Sequence, residues 1–498
     1  MKSTILLLAI FSVLFFAACS GGSDSGSDKT ATPADGGSPS ATKATGSAPT
    51  TTQTAVVLKP SIEEALSCRV PPVRPATGGG TAPLQRQDLD QTAFPGVSCN
   101  DGTPAVLNFR PYEGEANRNK WLIALDGGGS CENAQECANR WCGVDTNFDA
   151  DNMSSANLGS GATDGGMFRR APENPFGNWN QVEVRYCSSD WWAGTGGAIS
   201  FTAKDPKTGK DVTYQINFAG NVVYEAVVAT LRRDNVPALV YTRNNRRVEM
   251  PDLDEASEVV LAGGSAGGAG VINNLDRLAD TLRAGRNQPV VRGLIDSVVG
   301  PDMATVGYGT SVPCTTNKLC SYEAAVRAAA TTNVDVLKRL TDQSCLDWHK
   351  KNAPGTEWQC FDPSHVLANH ITTPYFVRMG LTDALVSKGY IDAGLAGADG
   401  KPFTRASWGL ALRDTLLNLQ QSVLSGHEKS AITKAPGIFA PSCSTHYTIF
   451  NNETTYDVTT NAGGKAYTLF AVWNNWVAGQ KPDVVISADP RTDKCTGD

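Results

Sequence analysis

The 498-residue chain has only five histidines, and none of its 13 cysteines stands in a Cys-x-x-C pair. Zinc sites are built from closely spaced thiolates and imidazoles. Cys131, Cys137 and Cys142 offer the competing metal reading, but the histidines are scattered, so no metal and no cofactor is expected. The chain also lacks a basic run: its net charge is −7, from 43 Lys and Arg against 50 Asp and Glu. That balance gives no footing for a nucleic-acid partner. The N-terminal apolar run, Ile5 to Ala18, is shorter than the roughly 20 residues needed to cross a bilayer. No internal repeat and no second linker divides the rest, so one large domain is expected.

What is present begins with an export signal. Lys2 precedes the apolar run, and residues 1–18 read as a signal peptide. Phe16-Ala17-Ala18-Cys19-Ser20 resembles a bacterial lipobox, with Cys19 lipidated as the mature N-terminus. Plain signal cleavage is the competing reading. Ser20 to Thr54 contains no aromatic residue and no aliphatic residue larger than Ala. Such a stretch cannot bury enough apolar surface to offset its ordering entropy. Residues 19–57 are therefore expected to be an anchor and a tether, and 58–498 a single domain. Setting Cys19 aside leaves an even number of cysteines, which in an exported protein suggests disulfides. Short loops favour Cys131–Cys137 and Cys314–Cys320. The expected product is an exported envelope lipoprotein or secreted monomer, touching membrane only through its lipid.

The body is organised around Val259 to Gly268. A short apolar run ends in Gly263-Gly264-Ser265-Ala266-Gly267, which fits G-x-S-x-G, and a helical pattern follows. Strand, sharp glycine turn and helix form the context of a nucleophile elbow. A glycine-rich turn without chemistry is the alternative. Upstream, the strand Lys120 to Asp126 runs into Gly127-Gly128-Gly129-Ser130. Such a loop supplies N–H groups to an oxyanion hole, joined by the residue after the nucleophile. Here those are Gly127, Gly128 and Ala266. The strand Gln181 to Cys187 leads to Trp191 and Trp192, which either line a substrate groove or anchor a loop. Phe218 to Arg233 has helical spacing, and Val290 to Val299 reads as a strand. Strand and helix alternate in the doubly wound α/β order.

Downstream, the strand Pro374 to Gly380 is followed by Asp383, placed as the acid of a triad or as a helix cap. Asp362 and Asp392 are alternative acids. His446 is the best-placed base, after the strand Gly437 to Phe439 and in a loop that a disulfide at Cys443 would hold still. His349, among charged neighbours, reads as exposed on a helix, and His365, His370 and His427 as structural. Thr310 to Pro363 reads as a cysteine-punctuated insertion capping the sheet. The order Ser265, Asp383, His446 is that of α/β-hydrolases.

These motifs together resemble the pectin acetylesterase family, which also contains the animal carboxylesterase Notum. Cys99-Asn100-Asp101-Gly102-Thr103-Pro104 is similar to its opening segment. Trp121 to Cys131 is similar to its Trp-Leu-x-x-Leu-Glu-Gly-Gly-Gly-x-Cys, and Arg185-Tyr186-Cys187 to its Arg-Tyr-Cys. Leu261 to Gly268 matches its Leu-x-Gly-x-Ser-Ala-Gly-Gly, and Cys443 to His446 its Cys-x-x-His. Asp126 replaces the family's glutamate, Tyr447 stands where a cysteine is frequent, and Ser130 where plant members carry tryptophan. The resemblance implies an α/β-hydrolase-like, mostly parallel sheet with long disulfide-stapled insertions. It implies a serine carboxylesterase with Ser265, Asp383 and His446 as its triad. Ser130, Trp191 and Trp192 are expected near the substrate, an O-acetyl ester of a polysaccharide such as pectin. The alternatives are a hydrolase of longer acyl, lipid or polyester esters, and a catalytically silent glycan- or partner-binding lipoprotein.

Overall fold

Near-continuous apolar runs make the central strands, as expected where both faces of a sheet are covered. Trp121, Leu122, Ile123, Ala124 and Leu125 are all fully buried. The structure, a computed structural model, describes residues 59–68, 83–302 and 338–488, together with Val326, Arg327 and Ala330. Excepted within those spans are 145–147, 157, 159–160, 163–164, 244, 393, 398, 426–433, 451–458 and 463–464. The expected signal sequence and tether, Cys19, Cys314, Cys320 and His427 lie outside the described residues.

Ten strands form the main sheet: β1 (Leu84–Asp88), β2 (Val106–Arg110), β3 (Lys120–Leu125), β4 (Gly161–Ala162), β5 (Asn180–Val184), β6 (Glu258–Gly264), β7 (Val290–Asp296), β8 (Tyr375–Arg378), β9 (Gly437–Ala440) and β10 (Val484–Ile486). Their order across the sheet is β10-β9-β8-β7-β6-β3-β5-β2-β1-β4. From β10 to β5 every pairing is parallel, while β2, β1 and β4 join antiparallel. The chain runs from β3 to β5 on one side and then places β6 on the other side of β3. That reversal is where ligands enter open α/β sheets, beyond the carboxyl ends of the strands.

The main helices are α1 (Ala134–Trp141), α2 (Gly220–Leu231), α3 (Ala266–Arg283), α4 (Gln343–Asn352), α5 (Pro363–Asn369), α6 (Ala384–Asp392), α7 (Arg405–Ser425) and α8 (Leu469–Ala478). Alternation along β3 sorts its side chains between two cores. Trp121, Ile123 and Leu125 join Val223 and Val227 of α2 and Leu275 and Leu278 of α3. Leu122 and Ala124 join Phe470, Trp473 and Trp476 of α8. Helices on both faces confirm the doubly wound α/β reading. Among the described residues, no helix is long and apolar enough to cross a membrane.

Disulfides join Cys68 to Cys142, Cys99 to Cys187, Cys131 to Cys137 and Cys345 to Cys360. The short-loop expectation thus holds for Cys131–Cys137, and Cys443 is also disulfide-bonded. One expectation fails. His349 sits on a helix but is only 1% exposed. Cys345 and His349, four residues apart, share the inward face of α4, while Lys350 and Lys351 point to solvent.

Candidate active site

The serine turn is shaped by what cannot fit there. A Cβ at Gly263 would lie 2.2 Å from the Gly267 carbonyl oxygen, and one at Gly267 only 1.9 Å from that of Leu125. Two glycines therefore let α3 start directly against the ends of β6 and β3. Ser265 itself takes φ 56° and ψ −124°. A non-glycine residue in such a conformation costs about 1–3 kcal/mol, which the surrounding packing must offset. Its N–H donates to the Asp296 carbonyl at 2.9 Å, and the residue is 4% exposed. Ala266 begins α3. Its N–H has no helical carbonyl to bond and lies at the positive end of the helix dipole.

The glycine loop leaves β3 beside this turn. A Cβ on Gly127 would sit 3.1 Å from that of Ser265. Three carbonyls of this segment are tied back. Trp192 Nε1–H donates to the Asp126 carbonyl (3.0 Å), Arg140 to that of Gly128, and Tyr186 Oη–H to that of Gly129 (2.8 Å). In a trans peptide the next N–H points the opposite way. Gly127, expected as an oxyanion donor, is placed differently. Its N–H already donates to Tyr447 Oη at 3.0 Å and approaches Asp126 Oδ1 at 3.1 Å. Gly128 is the expected donor of the loop whose N–H takes no acceptor among the described residues.

Asp383 and His446 come from the loops after β8 and β9. His446 Nδ1 lies 2.9 and 3.0 Å from the two Asp383 carboxylate oxygens. Asp383 is fully buried. Its Oδ1 also accepts the Leu385 and Val386 N–H groups at 3.0 Å each. Asp383 thus caps α6, as one reading expected, and the same carboxylate holds His446. An ionised carboxylate only accepts, which sets His446 as the Nδ1–H tautomer with Nε2 facing away from Asp383. The other acids are engaged elsewhere. Asp362 accepts from the Ser364 N–H as the cap of α5, and Asp392 pairs with Lys388.

Asp296, at the end of β7, holds the histidine loop in place, a role that sequence reasoning missed. Its Oδ2 accepts the Thr448 and Ile449 N–H groups at 2.8 and 3.1 Å. Its Oδ1 pairs with the buried Arg378 at 3.1 Å and accepts from Ser297 Oγ–H at 2.8 Å. Ser297 Oγ in turn accepts the Tyr447 N–H at 3.0 Å. The available signal was an aspartate ending a strand between the elbow strand and the acid strand.

Tyr447 fastens the histidine loop to the glycine loop. It donates to Asp126 Oδ1 while accepting from Gly127, and its ring stacks on Phe450 at 5.0 Å. Burial, with the Asp126 carboxylate next in weight, pushes its phenol well above the usual value. Arg185 pairs with Asp126 at 3.0 Å and with Glu183 at 3.2 Å. Asp126 and Burial therefore act on Arg185 in opposite directions, and the Asp126 charge prevails to raise its pKa.

The aromatic expectation divides. Trp192 is 1% exposed and braces the glycine loop from within, so it does not line a groove. Trp191 is half-buried beneath the Arg339 guanidinium at 5.3 Å. It lines a cavity of about 40 Å³ with Ala269, Ile272, Arg339 and Phe361, one turn and more along α3 from Ser265. Ser130 is half-buried and pairs with Asp190 in an isolated bridge.

A parallel sheet with a strained serine turn, a glycine loop and a paired aspartate and histidine at one edge defines an α/β-hydrolase-like protein. The Pectinacetylesterase family model matches residues 84–496, and the chain belongs to that family. Palmitoleoyl-protein carboxylesterase notum2 of Xenopus laevis is 27% identical over 352 residues, covering 70% of this chain and 60% of that protein. NOTUM of Drosophila melanogaster is 28% identical over 383 residues, covering 76% of this chain and 47% of that one. The chain thus spans less than two-thirds of the length of these relatives. A crystal structure of the Wnt deacylase Notum from Drosophila is similar in fold, with a TM-score of 0.54 and 24% identity over 82% of this chain and 97% of that one.

Proposed function

We propose that this chain is an exported serine carboxylesterase working through an acyl-enzyme. The observation that carries the reading is the His446–Asp383 pair at 2.9 Å, at the same sheet edge as the Ser265 turn. Ser265 Oγ attacks the ester carbonyl carbon, and His446 Nε2 takes the hydroxyl proton. Asp383 holds the ring and stabilises the imidazolium. The Gly128 and Ala266 N–H groups face the developing oxyanion, each worth about 100- to 1,000-fold in rate. The alcohol leaves with the proton from His446. Water then attacks the acyl-enzyme, giving His446 a proton that passes to Ser265 Oγ as the serine–acyl bond breaks and the acid is released.

The family points to an O-acetyl ester of a polysaccharide such as pectin as substrate. A longer acyl chain is the second reading, favoured by relatives named palmitoleoyl-protein carboxylesterases. Lipidation at Cys19 would hold the enzyme at the cell envelope. The test is Ser265→Ala, assayed on a short-chain aryl ester and with a fluorophosphonate probe. Hydrolysis and labelling should both vanish while the circular dichroism spectrum stays that of the parent. Activity above a tenth of the parent's would sink the proposal. An unlabelled parent would support a silent binding protein instead.

A further inference from the structure

Three of the chain's five histidines, scattered in sequence, meet at one place outside the serine site. His349 lies on α4, His365 on α5, and His370 caps the end of α5. Their ring centroids form a nearly equilateral triangle with sides of 5.2, 5.4 and 5.8 Å. One ring nitrogen from each lies within 4.8 Å of the others, and the Nε2 atoms of His349 and His365 are 3.0 Å apart. Two imidazoles bound tetrahedrally to zinc at about 2.0–2.1 Å hold their nitrogens about 3.3 Å apart. The observed spacing is close to that. One N–H···N bond joins two rings but gives no reason for a third to converge on them.

The surroundings orient His349 inward. Thr356 Oγ–H donates to the Ala353 carbonyl, so its oxygen accepts from His349 Nδ1–H at 2.6 Å. That tautomer turns the Nε2 lone pair toward the other two rings. His349 and His370 are each 1% exposed, and His365 is half-buried. Cys345 Sγ belongs to the same cluster but is bonded to Cys360, so it is no thiolate ligand. The disulfide instead fixes α4 beside the Glu357–Phe361 turn that leads into α5. Access is at hand: His370 and Trp348 line a cleft of about 710 Å³.

We propose that His349, His365 and His370 form a binding site for a zinc-type divalent ion that staples α4 to α5. An all-imidazole donor set suits zinc and its neighbours and disfavours magnesium or calcium. The site shares no residue with the proposed triad, so it stands or falls independently of the esterase reading.

The test uses the full chain with its disulfides intact, stripped with a chelator. Titration calorimetry should give one Zn2+ per chain and no response to Mg2+. His365→Gln, at the least buried of the three positions, should weaken Zn2+ binding at least ten-fold. In case that variant fails to fold, the parent loaded with Co2+ provides a second readout. It should show the visible absorption of a four-coordinate ion and lose it when Zn2+ is added. Binding of Zn2+ well below one per chain, equal affinity in parent and His365→Gln, or a six-coordinate Co2+ spectrum would overturn the proposal. The three rings would then be a packed, hydrogen-bonded cluster.

Discussion

At the scale of single residues, Asp383 carries two duties that one substitution separates. Its carboxylate caps α6 through the Leu385 and Val386 N–H groups, and it holds His446 by Nδ1. Asparagine caps helices about as well as aspartate, and losing a cap costs about 1 kcal/mol. An amide, however, supports the wrong imidazole tautomer, and in a comparable triad that change lowers kcat by about 10⁴. Asp383→Asn should therefore keep a melting temperature near the parent's while losing about 10³- to 10⁴-fold in kcat. Asp383→Ala should lose both. Calorimetry beside aryl-ester kinetics checks the pair of outcomes, and a fully active Asp383→Asn would remove Asp383 from the mechanism. Ser265, Asp383 and His446 were each legible in sequence as candidates because each follows a readable strand. Gly127 was misread because its N–H is consumed by Tyr447, 320 residues away.

At the scale of elements, the site depends on loops held together after β3, β6, β7, β8 and β9. Tyr447 is the fastening between the first and the last of them. Its hydroxyl links Asp126 to the Gly127 N–H from a half-buried side chain. Tyr447→Phe should cost about 1–3 kcal/mol by leaving those groups short of a partner. The sign of the pH dependence follows from the raised phenol. The folded state favours the protonated form, so the bond contributes fully below the unfolded-state value of about 10 and its contribution falls as pH rises past it. The stability gap between parent and Tyr447→Phe should thus be constant from about pH 6 to 9 and narrow above about 10. Urea unfolding across that range measures it, and a gap that widened with pH would contradict the assignment. Sequence reasoning saw Tyr447 only as a departure from a cysteine, since nothing local says which loop its hydroxyl reaches. The same holds for Asp296, whose partners Arg378, Thr448 and Ile449 arrive from two other elements.

At the scale of the whole molecule, the proposed esterase activity carries a definite acyl preference. A series of aryl esters from two carbons upward tests it. A maximum in kcat/KM at C2 fits an acetylesterase, whereas a rise toward long chains fits the chemistry named for the Notum relatives. Each central strand was visible in the sequence, because a strand buried on both faces must be apolar along its length, and a nucleophile turn must carry glycines where backbones touch. Those are local demands, and the sequence alone settled them: the α/β class, the serine turn, and the strands whose ends carry Ser265, Asp383 and His446. The tertiary structure decided what depends on distant segments meeting. It turned Trp192 inward as a brace, spent the Gly127 N–H, and set Asp296 beneath the histidine loop. It also gathered His349, His365 and His370, because the inward face of α4 becomes a face only once α5 packs against it.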